Sequence, residues 1–535
     1  MQRQGRSKIR KAKREGTKTR STAKPRKPAV KPRTRAGGKH LSRSRRRGFA
    51  LGMVPGLELF VGKSAKLRAA ADTLAERVTL TVTPRTMSGE PIQHQRGRLL
   101  GQDIERFRPR SDASDASVER LQRLGFQVLR RGRFGITVSA PAALVSDVLR
   151  TALLVHARPR RSTVRATQSF SFSYLPPRGS DLYVAPAESL SIKSLVCDHI
   201  DHFVFTPPPL LFDEVSAVPP HPSYFSIDST AIRRLLDVPA EAAGTGVKIA
   251  LVDTGFYKHP YYEANQLDYR PTPTPLGPDP ENDTVGHGTM IAYNAFAVAP
   301  KVTLLGYKQT DPPQDALEEA ATAGADIINC SWGWDNEQSF PVLEATIRSI
   351  ASEGKILTCA AGNGEMSWPG SMPEVLSVGG VYVDAEGGLQ ASNYASGYNS
   401  SLYPGRRVPD VSGLCGQRPN GIYIVMPCPP GSSFDERFAG PFLPDEDETM
   451  PGDGWLAASG TSSAAPQIAG VVALLVERAR TKGTALTTQT VRHILQQTAV
   501  GVEQGSSAQG FPAVGHPNIA VGFGLVDATA ALDKI

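Results

Sequence analysis

The sequence is poor in cysteine, and the few cysteines it has are badly placed for a covalent framework. There are five in 535 residues, an odd number, widely spaced and without any Cys-x-x-Cys pair. Disulfide scaffolds of small domains and structural zinc sites depend on regular, closely spaced cysteines. Neither kind of framework is therefore expected here.

Long apolar runs are also missing. No stretch approaches the about 20 consecutive apolar residues that a membrane helix needs, although hydrophobic residues make up 40% of the chain. The basic start is not followed by the apolar stretch of a secretory signal, because the run after Arg47 is interrupted by Pro55 and Glu58. We expect a globular protein with no transmembrane segment, and of the compartments left open the cytoplasm is favoured.

Acidic residues are nearly absent from the first 48 residues, which carry 20 Lys and Arg against the single acid Glu15. So much charge with so little apolar surface predicts a disordered basic tail over residues 1–48. Dense positive charge binds phosphate groups without specificity, so nucleic acid or an anionic surface is a candidate partner for the tail. A solvated or removable leader is the alternative.

Three further regions follow. Residues 60–165 show strand-like and helix-like runs in the order strand, helix, strand, strand, helix, which predicts a small α+β split βαβ sandwich. Residues 166–228 are rich in Pro, Ser and aromatics and predict an extended connector. In residues 229–535 apolar strands alternate with helices, which predicts an α/β domain with a mainly parallel sheet between helices.

Within the α/β region, two short motifs carry residues suited to acid and base chemistry. The run VKIALVDTG brings Asp253 to the carboxyl end of a buried strand, where parallel sheets place their sites. Taken alone, such an aspartate is as readily a turn former. His287 stands between Gly286 and Gly288, and small neighbours leave an imidazole reachable from both sides, as a general base requires.

The third motif is ASGTSSAAP, a turn of small residues that leads into an apolar helix. Ser462 at the start of that helix would have a backbone N–H free to meet an oxyanion, whereas the alternative is a simple helix cap. A different cluster, Cys197 with His199 and His202, invites a metal site, but ordinary packed or exposed side chains are the favoured interpretation.

The order of these blocks carries a resemblance to a known family. DTG, GHGT and GTSSAAP, in the order Asp, His, Ser, resemble the signature blocks of the subtilisin family, and CAAGNGE places Asn363 where that family has the amide of its oxyanion hole. Further matches extend the resemblance over about residues 240–535. It implies the three-layer subtilisin-like fold and a serine endopeptidase whose triad is Asp253, His287 and Ser462, acting through an acyl-enzyme.

The resemblance also implies a cleft in which extended peptides pair as an added strand. The residues expected to line it are Ser331, Trp332, Gly333, Ala360, Ala361 and Gly362. Trp332 is bulkier than the aliphatic residue usual in the family, so it either reshapes an outer subsite or is an ordinary packed aromatic. By position and element order the N-terminal sandwich looks like a subtilisin-type propeptide, which implies a zymogen that processes itself and is inhibited by its own N-terminal domain.

Several points stay open at this level. Ser463 replaces the methionine usual after the nucleophile, which leaves two adjacent hydroxyls to distinguish. No cofactor or metal ligand is assigned, and structural calcium cannot be placed residue by residue. The rival from another functional class is a binding or scaffold protein that keeps the fold without turnover; since all four catalytic side chains are present, it would need an occluded cleft.

Overall fold

The structure is a computed structural model that describes residues 52–53, 76–157, 182–186, 190–194, 196–208, 210–211, 214–215, 225–309, 312–384, 386–418, 422–440, 447 and 449–535. All of these residues belong to one unit, Ala50–Ile535. The predicted basic tail, residues 1–48, lies outside the described residues. All five cysteines are free thiols.

The N-terminal part is built on an antiparallel sheet. Its strands are β1 (Gly52–Met53), β2 (Arg77–Pro84), β3 (Gln127–Arg131), β4 (Ile136–Pro141), β5 (Leu153–Ala157), β6 (Leu182–Pro186), β7 (Ser191–Lys193) and β8 (Ile200–Val204). Its helices are α1 (Ser111–Arg123) and α2 (Ala142–Leu149). The main sheet has the order β3-β4-β2-β8-β7, and β5 joins β1 and β6 in a smaller one.

The core of this part follows from the two-residue period of its strands. Leu80 and Val138, neighbours on β2 and β4, are buried in the same cluster as Leu121 of α1 and Val145 of α2. One face of the sheet is therefore covered by both helices. β7 and β8 come from the segment that the sequence analysis assigned to the connector, and β8 pairs with β2 at the centre of the sheet.

The C-terminal part contains the remaining elements. Its strands, with two short ones that precede it, are β9 (Leu210–Leu211), β10 (Glu214–Val215), β11 (Phe225–Ile227), β12 (Lys248–Asp253), β13 (Tyr269–Thr272), β14 (Thr303–Lys308), β15 (Ile327–Cys330), β16 (Trp332–Gly333), β17 (Ile356–Ala360), β18 (Leu376–Val383), β19 (Leu389–Ala391), β20 (Tyr398–Asn399), β21 (Arg407–Val408), β22 (Val411–Leu414), β23 (Ile422–Pro427) and β24 (Trp455–Ser459). Its helices are α3 (Ser229–Leu235), α4 (Pro260–Ala264), α5 (His287–Val298), α6 (Gln314–Thr322), α7 (Pro341–Ser352), α8 (Ser433–Phe438), α9 (Thr461–Thr481), α10 (Thr488–Thr498) and α11 (Ala528–Leu532).

The large sheet has the order β13-β14-β12-β15-β17-β18-β19, with β22 beside β18, and only β19 runs antiparallel to its neighbour. Along β12, Ile249 and Leu251 are buried in the cluster that includes α5 and α9, whereas Ala250 and Val252 are buried in the cluster that includes α6 and α7. Because successive strand residues face opposite sides, the sheet lies between two helical layers. The predicted subtilisin-like α/β fold is confirmed.

Close packing of α5 on α9 depends on a glycine. A Cβ at Gly470 of α9 would lie 2.7 Å from the Val298 Cβ and 3.1 Å from the Ala295 carbonyl oxygen of α5. The missing side chain lets the two helices approach, and their first residues, His287 and Thr461, thereby start at one edge of the sheet. Within the part of the chain that the structure describes, no helix has both the length and the apolar character needed to cross a membrane.

Candidate active site

A buried aspartate and a buried histidine meet at the carboxyl end of β12. His287 Nδ1 donates to Asp253 Oδ1 over 2.7 Å, and both side chains are fully buried. The same carboxylate oxygen accepts the Thr254 N–H at 2.8 Å. A carboxylate that accepts from Nδ1 fixes the orientation of the imidazole and leaves Nε2 as the nitrogen for proton transfer.

The backbone around His287 leaves no room for larger residues. Gly286, just before α5, has φ 96°, and a Cβ at Gly288 would lie 2.2 Å from the Gly255 carbonyl oxygen and 3.1 Å from the Asp253 Cβ. The two glycines noticed in the sequence are therefore needed for a left-handed residue and a close approach of two backbones. Their small size brings the histidine against the aspartate.

Asp283 holds this loop together, and the sequence analysis did not single it out. It is buried and accepts from the N–H of Gly286 and from both the N–H and the hydroxyl of Thr289. It also accepts the Thr254 hydroxyl at 2.8 Å, and that hydroxyl oxygen in turn accepts the Gly288 N–H. Burial raises the pKa of Asp283, and these hydrogen bonds oppose the rise.

Ser462 lies in the first turn of α9, buried and next to the strand that the sequence predicts for substrate. Its Oγ donates to the Ser331 carbonyl oxygen over 3.0 Å, and the Ser331 hydroxyl donates to the Ser462 carbonyl oxygen over 2.8 Å. Pro466 stands four residues after Ser462 and has no N–H to donate to that carbonyl. The Ser331 hydroxyl satisfies the carbonyl instead, so the proline ties the two segments together.

Ser331 is itself held in place by buried polar neighbours. Asn329 Nδ2 donates to its Oγ at 2.9 Å, and the Thr358 hydroxyl donates to Asn329 Oδ1 at 2.9 Å. The neighbouring hydroxyl of Ser463 is buried too, and no described residue forms a hydrogen bond with it. Of the two adjacent serines, Ser462 is thus the one bonded to the predicted substrate strand.

Asn363 is oriented by the residue that precedes the serine. Its Oδ1 accepts the Thr461 N–H at 3.1 Å and the Thr461 hydroxyl at 2.9 Å. Since a backbone N–H can only donate, the amide must present its nitrogen on the other side. That Nδ2 is buried and has no hydrogen-bond acceptor among the residues described. A buried donor left without an acceptor is what an oxyanion site requires before substrate binds.

The other predicted cleft residues are distributed unequally. Trp332 is fully buried and its indole N–H donates to the Val252 carbonyl oxygen at 2.6 Å, which favours the packed-aromatic alternative for its side chain. The Ala361 N–H is bonded to Val378, while Gly362, with φ 110°, donates to the Thr461 hydroxyl. Gly333 and Ala360 lie in β16 and β17 beside this loop.

The histidines near Cys197 give no metal position. Among the residues that the structure covers, no group of three or more His, Cys, Asp or Glu side chains is placed to hold a metal ion. His202 is buried in β8, where burial and the neighbouring His94 and Lys193 lower its pKa to about 4. Its role there is packing within the N-terminal sheet.

Comparison with known proteins bears on the same region. The sequence profile of the subtilase family matches residues 244–524, slightly more than half of the chain and a range that contains Asp253, His287, Asn363 and Ser462. The chain belongs to the subtilase family. The family predicted from the sequence blocks is thereby confirmed.

Individual subtilases align over different shares of their length. The chain is 31% identical over 191 residues to the minor extracellular protease Vpr of Bacillus subtilis, covering 29% of this chain and 24% of Vpr. It is 27% identical over 278 residues to the intracellular serine protease of Paenibacillus polymyxa, covering 46% and 72%. Subtilisin Savinase of Lederbergia lenta is 26% identical over 309 residues, covering 54% and 91%.

Among solved structures, the chain is similar to fervidolysin from Fervidobacterium pennivorans, described as a keratinolytic enzyme related to subtilisin. The TM-score is 0.50 at 16% identity, and the match covers 85% of this chain and 61% of fervidolysin. At this identity the likeness concerns the fold alone. The chain spans less than two thirds of both Vpr and fervidolysin.

Proposed function

We propose that this subtilase is a serine endopeptidase that hydrolyses peptide bonds through an acyl-enzyme, with Asp253, His287 and Ser462 as its triad. The single observation that carries the proposal is the buried 2.7 Å hydrogen bond from His287 Nδ1 to Asp253 Oδ1, at the start of the helix that packs on the serine helix. A structural histidine does not need a buried carboxylate to fix its tautomer.

In this mechanism His287 takes the hydroxyl proton of Ser462 as Ser462 attacks the carbonyl carbon of the substrate. Asp253 keeps the imidazole oriented and stabilises its charged form. His287 then protonates the leaving amine, and water attacks the ester with His287 as base again.

The negative charge that develops on the carbonyl oxygen needs donors already in place. Asn363 Nδ2 is such a donor, since its amide is anchored through Thr461 and its nitrogen is buried and unused by the described residues. The Ser462 N–H at the start of α9 is the second donor in this proposal. Both belong to rigid elements, so little reorganisation is needed when the charge forms.

We further propose that the protein is made as a zymogen whose N-terminal part inhibits the catalytic part and assists its folding. The argument begins with burial, because Asp253, His287 and Ser462 are all inaccessible in the described fold. A substrate reaches them only after some part of the chain moves away. A removable N-terminal part provides such a movement without disturbing the triad.

The second support is the docking face, which we define as β3 and β4 packed on α6 and α7. Arg130 forms ion pairs with Asp315, Glu318 and Glu319 of α6, and the Thr137 hydroxyl donates to Asp315 Oδ2 at 2.7 Å. Arg133 makes a further pair with Glu353, just after α7. Basic side chains of the N-terminal part thus meet acidic ones of the catalytic part, a complementarity that guides docking and weakens with salt.

Labelling with a fluorophosphonate probe tests the proposed activity. In protein freed of its N-terminal part, we expect the probe on Ser462 and hydrolysis of an added protein such as casein. Ser462→Ala should remove both while the far-ultraviolet circular dichroism stays unchanged. Ser463→Ala is the matched control and should stay active.

Labelling of Ser463, or activity that survives Ser462→Ala, would reject the assignment of the nucleophile. A chain that neither labels nor hydrolyses in any state would favour the scaffold alternative. The proposed partner of the basic tail, nucleic acid or an anionic surface, remains a prediction about residues outside those described.

A further inference from the structure

The chain that links the two parts forms strands on both sides of Ser462. On one side β9 pairs antiparallel with β16, with Leu210 opposite Gly333 and Leu211 opposite Trp332. On the other side β10 pairs antiparallel with β24, with Glu214 opposite Ser459. These are backbone ladders, the mode in which an extended peptide binds to a sheet edge.

Both ladders end next to the nucleophile. β16 begins directly after Ser331, whose carbonyl oxygen accepts the Ser462 hydroxyl at 3.0 Å. β24 ends at Ser459, and only Gly460 and Thr461 separate it from Ser462. The linking chain therefore approaches the serine along one edge and leaves it along the other.

The two registers can be extended by counting along the sequence. On the β16 side the next pair after Trp332 and Leu211 is Ser331 with Phe212. On the β24 side the next pair after Ser459 and Glu214 is Gly460 with Asp213. Two independent ladders thus converge on one peptide bond, and a shift of either by one residue would break its pairing.

The geometry points to the bond between Phe212 and Asp213 as the bond at which this protein cuts its own chain. The inference rests on the proposed function and names its first substrate, the linking segment of the same molecule. Ser462 Oγ bonds to the Phe212 carbonyl carbon, the C–N bond to Asp213 breaks, and His287 passes the serine proton to the leaving amine. Water then releases the Phe212 carboxylate and restores the Ser462 hydroxyl, while Asp213 becomes a new N-terminus.

Upstream contacts hold the segment for this reaction. The Trp334 indole N–H donates to the Pro207 carbonyl oxygen at 3.0 Å, three residues before β9. Prolines occupy positions 207 to 209, and their fixed φ favours an extended backbone. β8 ends at Val204, so the sheet that Arg130 anchors to α6 leads almost directly into the cleft.

The first test needs no variant. Purified full-length wild-type protein is followed by intact mass spectrometry and N-terminal sequencing beside Ser462→Ala. We expect fragments that end at Phe212 and begin at Asp213 in the wild type and an uncut chain in Ser462→Ala. The cleavage rate should not change over a wide range of protein dilution, because enzyme and substrate are one molecule.

A pair of variants tests the register. Phe212→Glu should slow cleavage by about tenfold or more, because the side chain presented beside the cut bond changes from apolar to charged. Ala217→Glu adds the same charge two residues beyond β10 and should be cut at the wild-type rate. Equal rates for the two variants would overturn the assignment of the bond.

The outcomes separate this inference from the proposed function. Protein that takes the fluorophosphonate probe on Ser462 and hydrolyses casein, but is cut elsewhere or not at all, overturns the assigned bond and leaves the peptidase intact. Cleavage that accelerates with protein concentration overturns the same-molecule step. Protein that takes no probe and cuts neither casein nor itself overturns both.

Discussion

The catalytic centre and the docking face both bury charged side chains, but the partners of those side chains come from different distances. Asp283 in the centre receives its hydrogen bonds from Thr254, Gly286 and Thr289, all within the same part of the fold. On the docking face, Asp315 and Glu318 take theirs from Arg130 and Thr137, more than 170 residues earlier in the chain.

This difference matters when the parts separate. The carboxylates of the centre keep their donors whatever the N-terminal part does, so the centre is preorganised. The acids of α6 lose Arg130 on separation and gain water in its place, so their burial lasts only as long as docking. The fold thus combines a permanent polar network with a conditional one.

The comparison is tested most strongly in the centre, by Asn363→Ala. We expect kcat to fall about 100- to 1000-fold with little change in KM, the range measured for the corresponding asparagine of subtilisin itself. The reason is that Asn363 Nδ2 finds an acceptor only when the oxyanion forms. Steady-state kinetics on a peptide substrate measures it in protein freed of its N-terminal part.

Asn393→Ala is the matched control, because Asn393 is exposed and bonds to the Arg418 carbonyl oxygen far from the triad. It should leave kcat unchanged. A change in KM alone for Asn363→Ala would place that residue in ground-state binding instead of the oxyanion hole.

The docking face is tested by Arg130→Ala. The Arg130 side chain is 16% exposed and its partners Asp315 and Glu318 are 4% exposed, so removing the cation leaves two buried acids without a partner. Loss of one member of a buried pair costs about 3–5 kcal/mol, and we expect the lower end, roughly 100-fold weaker docking. The chain is cut between the parts with an added protease, and the fraction that stays associated is measured over a dilution series.

The next residue on β3 provides the control. Arg131 pairs with Asp115 of its own part, and both side chains are at least half exposed. Exposed pairs contribute about 0–1 kcal/mol, so Arg131→Ala should leave docking nearly unchanged. If both variants docked like the wild type, the ion pairs of the face would be incidental and apolar contacts would hold the parts together.

The sequence predicted the elements whose determinants are local. Alternating apolar runs predicted the α/β layers, and small residues around His287 and Ser462 drew attention to the sites because tight backbone contacts require them. Asp283 escaped notice, since an aspartate in NDTVGHGT is indistinguishable from a turn former until Thr254 and Thr289 are seen around it.

Non-local contacts set what could not be predicted. In QDALEEAAT the acids of α6 have the pattern of a solvated helix face, and nothing nearby indicates that Arg130 will cover them. β8, β9 and β10 come from a segment without a clear period because their partners lie in other parts of the chain. A strand of two residues has no pattern of its own to detect.

The last and smallest effect expected is on the pH dependence of docking. In the docked state burial raises the pKa of Asp315 to about 7, against the pull of Thr137 and Arg130 and with the help of Glu318 and Glu319. Once separated, the same carboxyl should titrate near the ordinary value of about 3.9. The docked form therefore binds a proton more tightly, and this contribution to docking is complete below pH 4 and is lost as the pH rises from about 4 to about 7.

The dilution series that measures Arg130→Ala, repeated at pH 5 and pH 8, checks this expectation. We expect docking to be about tenfold or more tighter at pH 5, and Asp315→Asn to flatten the difference because an amide does not titrate. Stronger docking at pH 8 would mean that attraction between Arg130 and the ionised acids outweighs the cost of burying them. The docking face would then hold its parts together by charge, as a permanent interface does, and the contrast with the catalytic centre would fail.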